Sequence, residues 1–371
     1  MLATAVARTT HGQSPWIRSQ AWDSTFLIFS SVLVSVPLIA YYWLHVPTQA
    51  VNYVIAGLIG GPHLYATFTL TFWEPSSWKN RPLYTASALA IPVIVIYLAV
   101  ANLSLLMTIF LAWASFHVLQ QLAFLSDCYR SRGGEPLTMS RSRVLDYAVI
   151  FGSLYPIAMY KLANDRFRVG KDAIYEYFPA LLKTDLFIAL VWSGFFIVLG
   201  LWLAKTVQEY REGRLNYPKT LLIGITACVS FIIPAFDNLD VAFQGMNTWH
   251  SFQYIALLWF VNSQRKAHGQ ISSRLVRSIA GPDHTRRFYL FHVGLTLAAG
   301  ASIFVLYAIS RSLTWGLEFQ QCYFMVVLSF LLMHYYFDTL MFARPELVLS
   351  EFETLLPRRR SPLTAAGVVG A

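Results

Sequence analysis

Four histidines are the residues of this chain best placed to carry out chemistry. His63, His117, His250 and His334 each lie in a different long apolar segment, between about 8 and 12 residues from its C-terminal end. At 1.5 Å of rise per residue, this spread is roughly 6 Å in depth, so one layer can contain all four. A histidine within hydrocarbon is costly unless a partner holds its ring nitrogens. Because neutral imidazole suits iron, copper or zinc, the pattern predicts one metal ion bound by four helices.

The alternative for any one of these histidines is a hydrogen bond to a backbone carbonyl or a serine on a neighbouring helix. The positions of the other histidines argue against that alternative for the whole set. His11, His268 and His284 lie in polar segments, and His45 is at the end of an apolar one. His292 is the exception, about one turn inside its segment, and we interpret it as a polar contact and not as a ligand.

Composition places the four histidines in a membrane protein. Of the 371 residues 56% are hydrophobic and 13% charged, and the mean hydropathy is +0.50. Soluble domains carry about 25% charged residues, and apolar runs longer than about 18 residues recur along this chain. We therefore predict an all-α, polytopic bundle of transmembrane helices. It forms a single integral membrane domain over residues 1–371, with a polar N-terminal segment at 1–22 and a flexible C-terminal tail at 346–371.

The distribution of charge predicts how this bundle crosses the membrane. With a cytoplasmic N-terminus, the inner segments hold 22 of the 28 lysines and arginines, as the positive-inside rule requires. We therefore expect about ten spans with both termini in the cytoplasm. The net charge of +9 is then an orientation signal that also attracts anionic membrane lipids, and it requires no nucleic-acid partner. The predicted spans are 24–44, 51–73, 83–101, 103–126, 144–162, 185–205, 219–236, 246–262, 288–309 and 319–342.

Polar residues accompany the histidines at helical spacing. Asp338 follows His334 by four residues, which places a carboxylate beside the imidazole on one helix face. We expect Asp338 to orient that ring, the alternative being a counter-charge for Arg344. Gln120 and Gln121 follow His117, and one of them should face the same side.

Several classes of metal or cofactor chemistry lack their residues in this chain. Membrane di-iron desaturases need about eight histidines in closely spaced boxes, and carboxylate-bridged di-iron sites need several buried glutamates. A rhodopsin needs a lysine in the middle of a span for its Schiff base. None of these patterns is present. A haem clamped by two of the histidines stays open as an alternative to a single ion.

Short motifs on four segments resemble the Brp/Blh family of bacterial membrane β-carotene dioxygenases. The resemblance implies a helical membrane protein in which histidines bind a non-haem Fe(II), and the iron cleaves β-carotene with dioxygen to give retinal. It extends in patches over most of the chain. The motifs are Gly60-Gly61-Pro62-His63, Ser115-Phe116-His117 followed by Asp127, Trp249-His250-Ser251, and His334 with Asp338 and Arg344-Pro345.

The chain also departs from that family's pattern at two places near the histidines. Tyr254 stands where the family has the second histidine of an H-S-x-x-H segment. A stretch that ends at Thr67 replaces the glycine and the acidic residue that follow the family's first histidine. We predict Asp338 and Tyr254 as catalytic residues beside the four metal ligands.

Together, these observations lead to the hypothesis of a membrane non-haem iron oxygenase that acts with dioxygen on a lipid-soluble substrate, a carotenoid or another long polyene. Such a protein is expected in the bacterial inner membrane. One alternative is a haem-binding electron-transfer protein. Another is a non-enzymatic, pigment-binding or structural subunit with a partner in a larger membrane complex.

Overall fold

Helices make up nearly all of the structure, a computed structural model that describes residues 14–75, 82–169, 172–173 and 177–343. A short antiparallel hairpin joins Arg168–Val169 (β1) to Asp172–Ala173 (β2). The all-α prediction is confirmed. The helices are α1 (Gln20–Tyr42), α2 (Thr48–Ile55), α3 (Gly61–Ala66), α4 (Pro82–Ala101), α5 (Leu103–Arg132), α6 (Arg141–Gly152), α7 (Tyr155–Ala163), α8 (Asp185–Arg211), α9 (Tyr217–Ile232), α10 (Leu239–Ala267), α11 (Arg274–Ile279), α12 (Thr285–Ser312) and α13 (Phe319–Ala343).

Among the described residues, seven helices are long and apolar enough to cross a membrane. Each coincides with a predicted span, so the chain is an integral, multi-pass membrane protein. Some include a short 3-10 or π turn, as α1 does at Ser24–Ile28 and Phe29–Val34. The seven are α1, α4, α5, α8, α9 extended to Ala235, α12 extended back to Pro282, and α13.

The three other predicted spans have a different form. Residues 51–73 fold as α2, a π turn at Ala56–Gly60, α3 and a 3-10 turn at Thr67–Thr69. Residues 144–162 divide into α6 and α7, and 246–262 lie in α10, a long helix with many buried polar side chains. The total of ten spans and the cytoplasmic placement of both termini stay predictions. Residues 1–13, Arg344, Pro345 and the 346–371 tail lie outside the described residues.

The histidine-bearing elements form the interior of the bundle. The α10 helix packs against α1, α2, α3 and α5, and α13 packs against α3, α4, α5 and α12. The C-terminal part of α5 is buried continuously from His117 to Arg130. In contrast, the apolar windows of α8 and of the span that contains α12 are only 11% buried, and they expose residues such as Leu190 and Phe304. Lipid-facing helices therefore surround a more polar core.

A buried ion network joins α5, α6, α8 and α9 at one end of the bundle. Asp146 on α6 accepts hydrogen bonds from Arg130, from Lys205 Nζ at 2.5 Å and from Trp202 Nε1 at 3.0 Å. Lys219 Nζ lies 3.6 Å from the same carboxylate and 2.6 Å from Glu135. Since Arg130, Asp146 and Lys219 are almost fully buried, each charge depends on the others for compensation.

Replacement of Asp146 by alanine should therefore destabilise the protein strongly. It leaves Arg130 and Lys219 buried beside too little negative charge, a change that typically costs about 3–5 kcal/mol. Thermal unfolding of the purified protein in detergent measures the effect. Glu212→Gln is the control, because its partner Arg214 is exposed and such surface pairs contribute about 0–1 kcal/mol. Equal melting temperatures for wild type and Asp146→Ala would contradict this role.

Candidate metal centre

The four histidines predicted to share a layer come together in one cluster. One ring nitrogen from each of His63, His117, His250 and His334 lies within 4.8 Å of the corresponding atoms of the others. All four side chains are at most 2% exposed. They come from α3, α5, α10 and α13, so one residue from each element converges on a single point. This cluster can hold a metal ion.

The four rings surround a common centre. The His63 ring centroid lies 4.7 Å from that of His250 and 4.4 Å from that of His334. The His117 ring lies 4.9 Å from His250 and 4.8 Å from His334. His63 and His117 are farther apart, at 6.3 Å, and therefore face each other across the cluster.

The ring nitrogens provide a test of whether this cluster fits a metal. Within the described part of the chain, both nitrogens of His117, both of His250 and Nε2 of His63 and His334 are buried without a hydrogen-bond partner. Buried polar atoms are rarely left in this state, and a bound cation would satisfy four of them together. Two metal–imidazole bonds of about 2.1 Å place opposite nitrogens at most about 4.2 Å apart. The observed 4.8 Å limit is within an ångström of that span, so small side-chain movements suffice.

Local sequence explains how His63 reaches the cluster. Pro62 lacks an N–H and therefore cannot continue the regular helical hydrogen bonding toward Leu58. The Tyr289 hydroxyl from α12 donates to the Leu58 carbonyl instead, at 2.7 Å. A β-carbon at Gly61 would collide with Thr296, so this glycine lets α12 approach closely. A π turn at Ala56–Gly60 therefore precedes the helix that carries His63, and α12 packs closely against that helix at Gly61.

The His334 side of the cluster contains a small hydroxyl–carboxylate network. Thr67 Oγ1 lies 2.5 Å from His334 Nδ1 and 2.7 Å from the Tyr254 hydroxyl. Tyr254 in turn donates to Asp338 Oδ1 at 2.7 Å. Asp338 approaches His334 Nδ1 only to 3.7 Å, so Thr67 is the nearer partner of that ring. Helical spacing alone predicted Asp338 as the partner of His334, whereas the contact with Thr67 was not predicted, although Thr67 follows His63 by one helical turn.

Within the described residues, neither glutamine beside His117 is hydrogen-bonded to an imidazole nitrogen of the cluster. Gln121 Nε2 donates to the His250 carbonyl at 3.2 Å and lies at the same distance from Gln253 Oε1. Gln120 Oε1 accepts from Thr339 at 3.1 Å. The nearest aromatic neighbour of His117 is Tyr335, whose ring stacks on the imidazole at 4.3 Å. Gln121 therefore holds α5 and α10 together near the cluster without using a ring nitrogen.

His292, the fifth buried histidine among the described residues, lies outside the cluster. Its Nδ1 is 2.6 Å from the Phe288 carbonyl of its own helix, and its ring packs against Phe288 and Trp73. The interpretation of His292 as a polar contact agrees with this geometry.

Charge also distinguishes the cluster. Asp338 is fully buried, and among the described residues no lysine or arginine nitrogen lies within ion-pair distance of its carboxylate. If it is ionised, a carboxylate at this depth needs compensation, which hydroxyls provide only in part. A divalent cation held by the four neutral imidazoles would be separated from this carboxylate by the His334 ring. The two charges would then stabilise each other.

Comparisons of the chain with protein-family models, with curated proteins and with solved structures find no match. The resemblance to the Brp/Blh family therefore rests on the motifs alone.

The substitution Asp338→Asn should show whether Asp338 compensates the charge of a bound cation or only supports the local structure. The amide keeps the shape and accepts from Tyr254 but removes the negative charge. We expect metal affinity to fall by about 10–100-fold, the usual effect of losing a partner behind a ligand. The melting temperature of the metal-free protein should stay near that of wild type, because the amide accepts the same hydrogen bond from Tyr254. Affinity is measured by competition with a chelator.

Tyr254→Phe is the matched control for that substitution. It removes one hydrogen bond to Asp338 without changing charge, so metal content should stay near the wild-type level. Loss of the metal in the phenylalanine variant would mean that Tyr254 is itself a ligand and that the four-histidine set is incomplete.

Proposed function

We propose that this protein is a membrane non-haem iron oxygenase that acts with dioxygen on a lipid-soluble polyene of the carotenoid class. The observation that carries the proposal is the convergence of four buried imidazoles with unpartnered nitrogens inside a membrane bundle. The family resemblance supports both the metal and the substrate class. We place the protein in the bacterial inner membrane.

The donor set suits iron better than calcium, magnesium or manganese, which prefer oxygen ligands. His63, His117, His250 and His334 would hold the ion. An iron bound there would supply a centre that binds and activates dioxygen. Because only four side chains would hold the ion, it would keep positions for other molecules, which an oxygenase needs.

The surrounding side chains favour an apolar substrate. Leu64, Tyr65 and Phe68 from the segment around α3 form one buried cluster with Met333 and Phe337 of α13. Tyr84 of α4 joins this cluster, with its ring 5.0 Å from that of Phe337. Only 17% of the apolar window of α4 is buried, so the cluster lies behind a helix that faces the bilayer. A polyene dissolved in the membrane would meet aromatic rings there, and bulk water is excluded from the buried histidines.

The haem alternative fits the cluster less well. A haem between two axial histidines needs a wide, flat space around the line that joins them. If His63 and His117 were the axial pair, the rings of His250 and His334 would occupy that space, and the reverse holds for the other pair. Each ring of one pair lies 4.4 to 4.9 Å from each ring of the other. A single ion requires no such space.

The proposal is tested with the full-length protein purified in detergent and reconstituted with Fe(II). We expect about one iron per chain, no Soret band in the absorption spectrum, and dioxygen-dependent loss of β-carotene with formation of an aldehyde product. Replacing any of the four histidines with alanine should remove both iron and turnover. His292→Ala is the matched control, because it changes a buried histidine outside the cluster.

Other outcomes would contradict the proposal in distinct ways. A Soret band would favour the haem protein. Bound pigment without iron would favour a pigment-binding or structural subunit of a membrane complex. Stoichiometric iron with no oxidation of any polyene offered would retain the metal centre but overturn the substrate class.

A further inference from the structure

Thr67 occupies the centre of the network behind His334. It begins the 3-10 turn at Thr67–Thr69 that follows α3, and its side chain is fully buried. Its hydroxyl contacts groups on two other helices: Tyr254 on α10, and both His334 and Asp338 on α13. Thr67 thus links the segment that carries His63 to the helices that carry His250 and His334.

The number of available protons fixes the direction of these hydrogen bonds. Tyr254 donates its only hydroxyl proton to Asp338 Oδ1. With Asp338 as a carboxylate that has no proton to donate, the 2.7 Å contact between the Thr67 and Tyr254 oxygens needs the Thr67 proton. The 2.5 Å contact between Thr67 Oγ1 and His334 Nδ1 then needs a proton from the ring, so Thr67 accepts from His334. His334 therefore carries its proton on Nδ1, and its Nε2 presents a lone pair.

His334 differs in this respect from the other three histidines. Of the four rings, all within the described residues, only that of His334 is hydrogen-bonded to another side chain. His117 and His250 have no partner at either nitrogen, and His63 lies close to the backbone of Gly60. His334 Nε2 has no partner and belongs to the converging set. One ligand of the cluster is thus oriented before any metal binds.

We propose that Thr67 is a positioning residue that fixes the tautomer and the orientation of His334, so that this ring binds the metal through Nε2. The inference rests on the metal-binding role proposed above. It assigns a role in metal affinity to a residue that contacts no reacting group. Ligand imidazoles are commonly held by a partner on the other nitrogen, and loss of such a partner typically weakens metal binding by about 10–100-fold.

The test compares three variants of the full-length, metal-free protein, titrated with Fe(II) and with Zn(II) against a competing chelator. Thr67→Val keeps the shape but removes the hydroxyl, and should weaken both metals by about 10–100-fold. Thr67→Ser keeps the hydroxyl and should bind within about threefold of wild type. Thr226→Val is the matched control, because Thr226 is equally buried on α9 and its hydroxyl only donates to the Leu222 carbonyl.

The outcomes separate this inference from the proposed function. Wild-type affinity in Thr67→Val would overturn the positioning role while leaving the metal centre intact. Equal loss of affinity in the valine and serine variants, with equally lowered melting temperatures, would reduce Thr67 to a packing residue. A wild-type protein that binds neither metal would instead overturn the proposed function.

A second measurement requires no substitution at Thr67. In the metal-free protein with ¹⁵N-labelled histidine, the His334 signals are identified by their absence in His334→Gln. They should show a protonated Nδ1 and an Nε2 that carries no proton. The reverse pattern would overturn the proposal.

Discussion

Six of the eight nitrogens in the four clustered imidazoles are buried without a hydrogen-bond partner among the described residues. Each such atom carries a desolvation penalty of about 1–3 kcal/mol when nothing replaces water. A bundle that places four of these rings side by side is therefore unfavourable by itself. A cation at their centre would convert the same arrangement into a stabilising one. The choice of polar partners around the cluster follows from this constraint.

The bundle divides its polar groups between two places. At one end, Arg130, Asp146 and Lys219 compensate one another directly, which joins three helices. Among the described residues around the histidines, the acidic side chain is Asp338, and its partners are hydroxyls and an imidazole. The charges of the first group compensate one another, whereas among the described residues no lysine or arginine compensates Asp338. That difference is the electrostatic argument for a metal at the histidine cluster.

The depth of the histidines along their apolar segments was sufficient to predict the cluster, because depth is linear in residue number along a helix. Spacing along one helix was less informative about partners. Asp338 is one turn from His334, yet Thr67 lies closer to the ring, since a neighbouring helix inserts a hydroxyl between them. Such contacts depend on helix packing and on the π turn before Pro62, and the periodicity of one segment predicts neither. The same limit explains why Gln121, and not Gln120, reaches α10.

The proposed function requires one iron ion whose only ligands from the protein are imidazole nitrogens. The iron K-edge X-ray absorption spectrum of the reconstituted protein tests it most directly. We predict a first shell that includes four nitrogens at about 2.0–2.3 Å, together with the outer-shell scattering of imidazole rings. A first shell dominated by oxygen, a porphyrin pattern, or scattering from fewer than three imidazoles would contradict the account.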